Sequence, residues 1–119
     1  VRRKHHDLLA WQAAMRLVET VYAFTTSPLS RDEAFNLTSQ MRRAAVSVPS
    51  NIAEGAARMT AKEFGHFLGI ARGSLSELET QYLLVCRLKL AEPSKLMEDG
   101  LNEVFGLLGG LIRSQTRAD

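Results

Sequence analysis

One cysteine, three prolines, one tryptophan and two tyrosines are all that the 119 residues contain of these types. The lone Cys86 excludes an intramolecular disulfide and fits a reducing compartment, so a cytoplasmic protein is expected. Aromatics make up only 7% of the chain, too few to advertise a surface on which nucleic-acid bases stack. No apolar run approaches the roughly 18 residues of a membrane span, and the first residues lack the apolar stretch of a secretory signal. Neither sign of charge dominates: fifteen Lys and Arg stand against thirteen Asp and Glu, a net +2. Three of the fifteen, Arg2, Arg3 and Lys4, sit in the first four residues. The rest of the chain then carries 12 basic against 13 acidic groups, a net of −1.

What is present is the composition of one globular domain, 45% hydrophobic and 24% charged. A chain of this length buries about two-thirds of the surface its unfolded form exposes, so no metal or disulfide is needed to hold it together. Residues 1–6 read as a flexible basic arm and residues 7–119 as a single domain.

Apolar residues recur at helical spacing in four segments. With Asp7 as N-cap, the first helix carries Leu8, Trp11, Met15, Val18 and Tyr22 and runs to about Thr25. Thr26-Ser27-Pro28-Leu29 breaks it, and Ser30-Arg31-Asp32-Glu33 forms a capping box for the second. That helix has a seam of Phe35, Thr38, Met41, Ala45, Val48, Ile52 and Ala56, with a kink expected at Pro49. A second capping box, Thr60-Ala61-Lys62-Glu63, opens a third helix reaching about Leu90, with a seam from Phe64 to Cys86. Ser94 caps a fourth, which carries Met97, Leu101, Val104, Leu108, Leu111 and Ile112 to about Ser114. Short connections make consecutive helices antiparallel neighbours. The fold class expected is all-α, an antiparallel up-down-up-down four-helix bundle.

Two helices offer more apolar surface than one core stripe needs. The first has a second stripe, Ala10, Ala14, Leu17, Val21 and Phe24, and the fourth adds Leu96, Phe105 and Leu107. On the third, Gly65, Gly69 and Gly73 form an outer row of small residues. Each helical glycine costs about 1 kcal/mol against alanine, so a row of three invites a packing reason. Ala14, Leu17, Val21, Gly65, Gly69 and Gly73 are therefore the expected interface of a homo-oligomer; the alternative is that the glycines are merely tolerated and the extra apolar width wraps a bent bundle.

Signals for chemistry are few. Glu63-x-x-His66 has the spacing used by di-iron bundles, but the second copy they require is missing. Phosphate-binding Gly-rich loops and nucleophile elbows are absent. No catalytic residue, metal ligand set or cofactor is expected, and the chain reads as non-enzymatic. A polar ladder on the second helix, Asn36, Gln40, Arg43, Ser47, Asn51 and Glu54, lies within one arc that Arg72 and Glu77 of the third helix are placed to meet. It reads either as a register-fixing polar network or, with Arg42, Arg43, Arg58, Arg72 and the arm, as a surface for phosphates.

The stretch from Gln40 to Gly55, followed by Lys62-Glu63-Phe64 and the run Ala71 to Leu78, resembles the bacterial four-helix bundle proteins encoded in intervening sequences of large-subunit ribosomal RNA genes. Leu9-Ala10-Trp11-Gln12 is similar to that family's opening helix, and the likeness extends from Asp7 to about Ile112. The resemblance implies an antiparallel bundle assembled as a homopentameric ring, with a largely unassigned activity. It also implies kinship with accessory proteins of diversity-generating retroelements, in which a basic pentamer engages a reverse transcriptase and nucleic acid. On the matching positions, Ser47, Pro49, Asn51, Glu54, Arg72, Ser74 and Glu77 are expected to be structural or interface residues. Arg2, Arg3, Lys4, Arg42 and Arg43 are the expected contacts to RNA or DNA. The expected partners are further copies of the chain, together with nucleic acid or a protein that processes it, and no membrane. Gly65 and Gly69 stand where the family pattern suggests bulkier residues.

Overall fold

The computed structural model describes residues 2–26 and 32–118, with the backbone alone for 32–35, 117 and 118. Four helices and a short N-terminal 3-10 turn, Lys4–Asp7, make up these residues, and no strand occurs among them. The helices are α1 (Leu9–Thr26), α2 (Asp32–Ala56), α3 (Ala61–Arg87) and α4 (Lys95–Ala118). The expected break at 27–29, the capping box from Ser30 to Glu33 and the side chain of Phe35 lie outside the described residues.

The turns are built by side chains of the expected types. Thr60 Oγ1 accepts the N–H of Glu63 at 3.1 Å, and its hydroxyl lies 3.4 Å from the Glu63 carboxylate. This leaves one half of the capping box in place, the half that satisfies a free N–H of the first turn. Ser94 Oγ accepts the N–H of Met97 at 3.2 Å and so caps α4. The third helix stops at Arg87, three residues short of the expected end. Lys89 takes a positive φ of 58°, and the N–H of Leu90 folds back to the carbonyl of Val85 at 3.0 Å. A left-handed residue just past the last turn is a helix stop that glycine usually supplies, which is why a lysine gave no warning of it.

Asp7 does not cap α1 as expected. Its carboxylate pairs with Arg2, and the residues read as the end of the arm form the 3-10 turn instead. Gln12 Nε2 donates to the carbonyl of His6 at 2.8 Å, and the rings of His5 and His6 lie 5.0 and 5.4 Å from that of Trp11. Lys4 Nζ lies 4.8 Å from the centre of the Phe64 ring. These contacts place the turn against the start of α1 and the start of α3.

Each helix packs on two others: α1 on α2 and α4, and α3 on α2 and α4, in a body 47 × 28 × 22 Å. The core draws Met41, Val48 and Ile52 from α2, Leu68, Leu75 and Leu78 from α3, and Met97, Val104 and Leu108 from α4. All lie on the seams expected from spacing. Pro49 is buried within α2, whose helical course continues across it although its nitrogen has no hydrogen for the carbonyl of Ala45. Near the end of the same helix, Gly55 allows α3 to come close: a Cβ there would lie 2.9 Å from both Phe64 Cδ1 and Phe67 Cβ.

In α1 the two stripes are exchanged. Ala14, Leu17 and Val21, expected on an outer face, are 0, 2 and 0% exposed, with Ala10 and Ala13 beside them in the core. Met15 and Tyr22, expected inside, are each 42% exposed, while Trp11 and Val18 are half-buried. The physical reason is close packing. A Cβ on Gly100 of α4 would lie 3.0 Å from Leu17 Cδ1, so α4 comes near α1 just where α1 presents alanines and a single leucine.

Candidate functional site

The exchange turns the bulky stripe of α1 outward, beside α2. Together they form a groove with two ends that share Val46. At one end Trp11, Met15 and Val18 face Pro49, Ser50 and Ala53 across a cavity of about 380 Å³. At the other, about 570 Å³ is lined by Tyr22, Thr38, Ser39, Arg42, Arg43 and Ser47. One groove therefore passes from apolar to basic and hydroxylic within a few turns of helix.

Arg42 is held in place at the basic end. Its Nε donates to Thr25 Oγ1 at 2.9 Å, its Nη2 lies 3.4 Å from Thr26 Oγ1, and its guanidinium centre lies 4.5 Å from the centre of the Tyr22 ring. Thr25 is buried and in turn donates to the carbonyl of Val21 at 2.8 Å. Arg43 is exposed beside it. Among the described residues neither guanidinium has a carboxylate partner.

The expected polar ladder resolves into a network between α2 and α3. Ser47 Oγ lies 2.8 Å from Ser74 Oγ, and Asn51 Nδ2 donates to both the carbonyl and the hydroxyl of Ser47 at 2.9 Å. Gln40 reaches Asn36 at 3.4 Å and receives Gln81 Nε2 at 3.5 Å, and Gln81 also reaches Glu77 at 3.4 Å. Glu77 thus joins the ladder through Gln81. Arg72 is exposed and takes no part among the described contacts. Glu54 pairs instead with Arg58 at 3.2 Å, and that guanidinium also stacks 4.7 Å over the Phe67 ring.

The basic residues expected to share one surface are divided. Arg2 is paired with Asp7, Lys4 lies over Phe64, and Arg3 is exposed at the same end of the molecule. Phe64 adjoins Gly55, which lies thirteen residues beyond Arg42 in α2, or about 20 Å along the helix axis. Within one protomer the N-terminal turn and the arginine pair are two sites. Desolvation, then His6 and Arg3, hold the His5 imidazole below its usual value, as befits a turn rich in positive charge.

The glycine row is open. Gly69 and Gly73 have nothing within 4 Å of an added Cβ, and Gly65 has only Gln115 Cβ at 3.9 Å. Nothing among the described residues accounts for them. Among the described residues no group of three metal-ligating side chains occurs, and no helix is long and apolar enough to cross a membrane.

The family model for the 23S rRNA-intervening sequence protein matches residues 6–110. This chain belongs to that family. No curated protein was found to match it. For a 23S rRNA-intervening sequence protein of this sequence, the matched span takes in the groove, the Ser47–Ser74 network and the glycine row, and it leaves out Arg2, Arg3 and Lys4.

Two features escaped sequence reading. Tyr82, expected as an ordinary core residue, accepts the N–H of Ser94 at 2.8 Å and donates to Glu98 Oε2 at 2.7 Å, which ties α3 to α4. Thr25, the last residue expected in the first helix, is the anchor of Arg42. Its proximity to an arginine seventeen residues later leaves no periodic trace.

Proposed function

We propose that this 23S rRNA-intervening sequence protein is a non-enzymatic scaffold of the cytoplasm that works as a homo-oligomer, a ring of five copies, and contacts RNA or DNA weakly. The observation that carries the reading is the outward stripe of α1. At the apolar end of the groove Trp11, Met15 and Val18 meet Pro49 and Ala53 around a space that the protomer leaves unfilled, and apolar surface of this kind on a small domain is characteristic of an interface. The interface moves accordingly from Ala14, Leu17 and Val21 to this stripe, while Gly65, Gly69 and Gly73 keep their place as an outer row. The number five comes from the family resemblance alone. Within the protomer, Gln40 with Gln81 and Gly55 with Phe64 support an antiparallel α2 and α3, and Tyr82 with Glu98 and Gly65 beside Gln115 support the same for α3 and α4. Up-down-up-down order with a bend at Pro49 is the arrangement proposed.

The test is a mass measurement in solution, by sedimentation or native mass spectrometry. A pentamer is the expected result, and a monomer at micromolar concentration overturns the assembly. Filter binding to RNA across a salt series, with and without residues 1–6, tests the nucleic-acid part. Five copies would bring about fifteen arm charges together, and multivalency then raises an affinity that each arm alone lacks. If deletion changes neither the affinity nor the salt slope, the arm plays no part. The division of the basic groups into two sites favours a second reading, a protein-interaction module whose partner docks on α1 or α4. Capture that survives nuclease treatment of a lysate separates it from the first.

A further inference from the structure

The basic end of the α1/α2 groove contains more than positive charge. Arg42 has two of its five N–H groups engaged, by Thr25 and Thr26, and its plane is set against Tyr22. A guanidinium fixed in this way loses little freedom when it binds an anion. Arg43 adds a second positive charge from the same helix, and Ser39 lines the same wall, as does Ser47, whose hydroxyl is held by Ser74 and Asn51. Thr38 lines it too, with its Oγ1 closed off from the open space. Among the described residues that line the groove none is acidic. At about 570 Å³ the space is far larger than an inorganic anion and of the size that holds small organic ligands.

We infer that this end of the groove binds a phosphate monoester, with the phosphate on Arg42 and Arg43 and the organic body of the ester directed toward Val46. A phosphate monoester suits it better than a carboxylate because it brings about two negative charges to two guanidiniums that have no carboxylate partner among the described residues, with three oxygens for their N–H groups and for Ser39. The inference rests on the proposed weak contact with RNA or DNA and on the expectation that Arg42 and Arg43 contribute to it, and replaces a general basic surface with one bounded site. The ester is either a free nucleotide or the terminal phosphate of a strand.

Calorimetric titration of the full chain with adenosine monophosphate, inorganic phosphate and adenosine tests it. The nucleotide is expected to saturate one site per chain while adenosine binds at least about tenfold more weakly. Arg42→Lys keeps the charge but loses the fork, and it is expected to weaken the nucleotide at least about tenfold. Arg43→Gln, an exposed position with no tie to the fold, is expected to do the same with an unchanged melting curve. Arg113→Gln removes an equal charge elsewhere and is expected to have no effect. Inorganic phosphate binding as tightly as the nucleotide supports the phosphate site and assigns nothing to the organic body. A 5′-phosphorylated oligonucleotide that outcompetes its 5′-hydroxyl counterpart extends the same site to strand ends. The site is overturned if adenosine matches the nucleotide, if no saturation is reached by about 10 mM, or if Arg113→Gln weakens binding as much as Arg43→Gln. A chain that retains RNA on filters but takes up no phosphate ester loses this site and keeps the nucleic-acid reading.

Discussion

The Tyr82 hydroxyl donates to Glu98 Oε2 at 2.7 Å from within the core, joining α3 to α4 just past the turn that connects them. The same oxygen accepts the Ser94 N–H at 2.8 Å, so one phenol satisfies the entry to α4 and holds its first carboxylate. Tyr82→Phe removes both bonds and leaves a half-buried N–H unpaired. A loss of about 1–2 kcal/mol is expected, read as a lower urea midpoint at an unchanged slope. Glu98→Gln retains an acceptor for the phenol and is expected to cost less.

Burial and the Glu98 carboxylate push the Tyr82 hydroxyl well above its ordinary value of 10.0. The folded chain therefore holds this proton where the unfolded chain gives it up. Its contribution is fully present below pH 10 and is lost as the pH rises from there toward the folded value, by up to about 1.4 kcal/mol for each pH unit. Urea midpoints measured between pH 8 and pH 11 are expected to fall above pH 10 in the parent chain and to fall less in Tyr82→Phe. Tyr22→Phe, which alters an exposed ring, is expected to leave the alkaline fall in place.

Much of this protein is legible from spacing, and the exceptions share a cause. The caps at Thr60 and Ser94 act within three residues of themselves, so their sequence signals suffice. The seams of α2, α3 and α4 turn inward, while Leu96, outside the seam of α4, stays 75% exposed. In α1 two stripes of comparable weight compete. Periodicity locates both, but only the approach of α4 at Gly100 decides that Leu17 goes in and Met15 stays out. The site has the same character. Ser47 and Ser74 are recognisable as polar residues on facing helices, but the hold of Thr25 on Arg42 depends on how α1 crosses α2, which no local signal encodes.

The glycines of this chain separate by what surrounds them. At Gly55 a methyl group would meet Phe64 and Phe67 at 2.9 Å, the Phe67 contact being at its Cβ, so α2 and α3 must move apart. Gly55→Ala is expected to destabilise the chain by about 1–3 kcal/mol despite the gain in helix propensity. At Gly73 a methyl group meets nothing within 4 Å, and Gly73→Ala is expected to stabilise an isolated protomer by up to about 1 kcal/mol. If the row packs against another copy, the same substitution is expected to lower the mass in solution while circular dichroism is unchanged. A raised melting temperature with the mass unaltered would remove the glycine row from the interface.

The exchanged stripes of α1 supply the sharpest contrast between folding and assembly. Leu17 is 2% exposed and packed against α4, so Leu17→Ala opens a cavity in the protomer core. A cost of about 2–5 kcal/mol is expected, seen in urea unfolding. Met15 is 42% exposed, two residues away on the outer wall of the groove. Met15→Ala is expected to change protomer stability by less than about 0.5 kcal/mol, because an exposed side chain forfeits little when it is shortened. Met15→Glu places a charge where a second copy would desolvate it, and it is expected to dissociate the oligomer with the helical content retained. The two measurements must be taken together, since unfolding of an oligomer depends on its concentration. Sedimentation that shows Met15→Glu at the parent's mass would place the interface elsewhere than the α1 stripe. A Leu17→Ala chain of parental stability would mean that Leu17 is not the core residue its burial makes it.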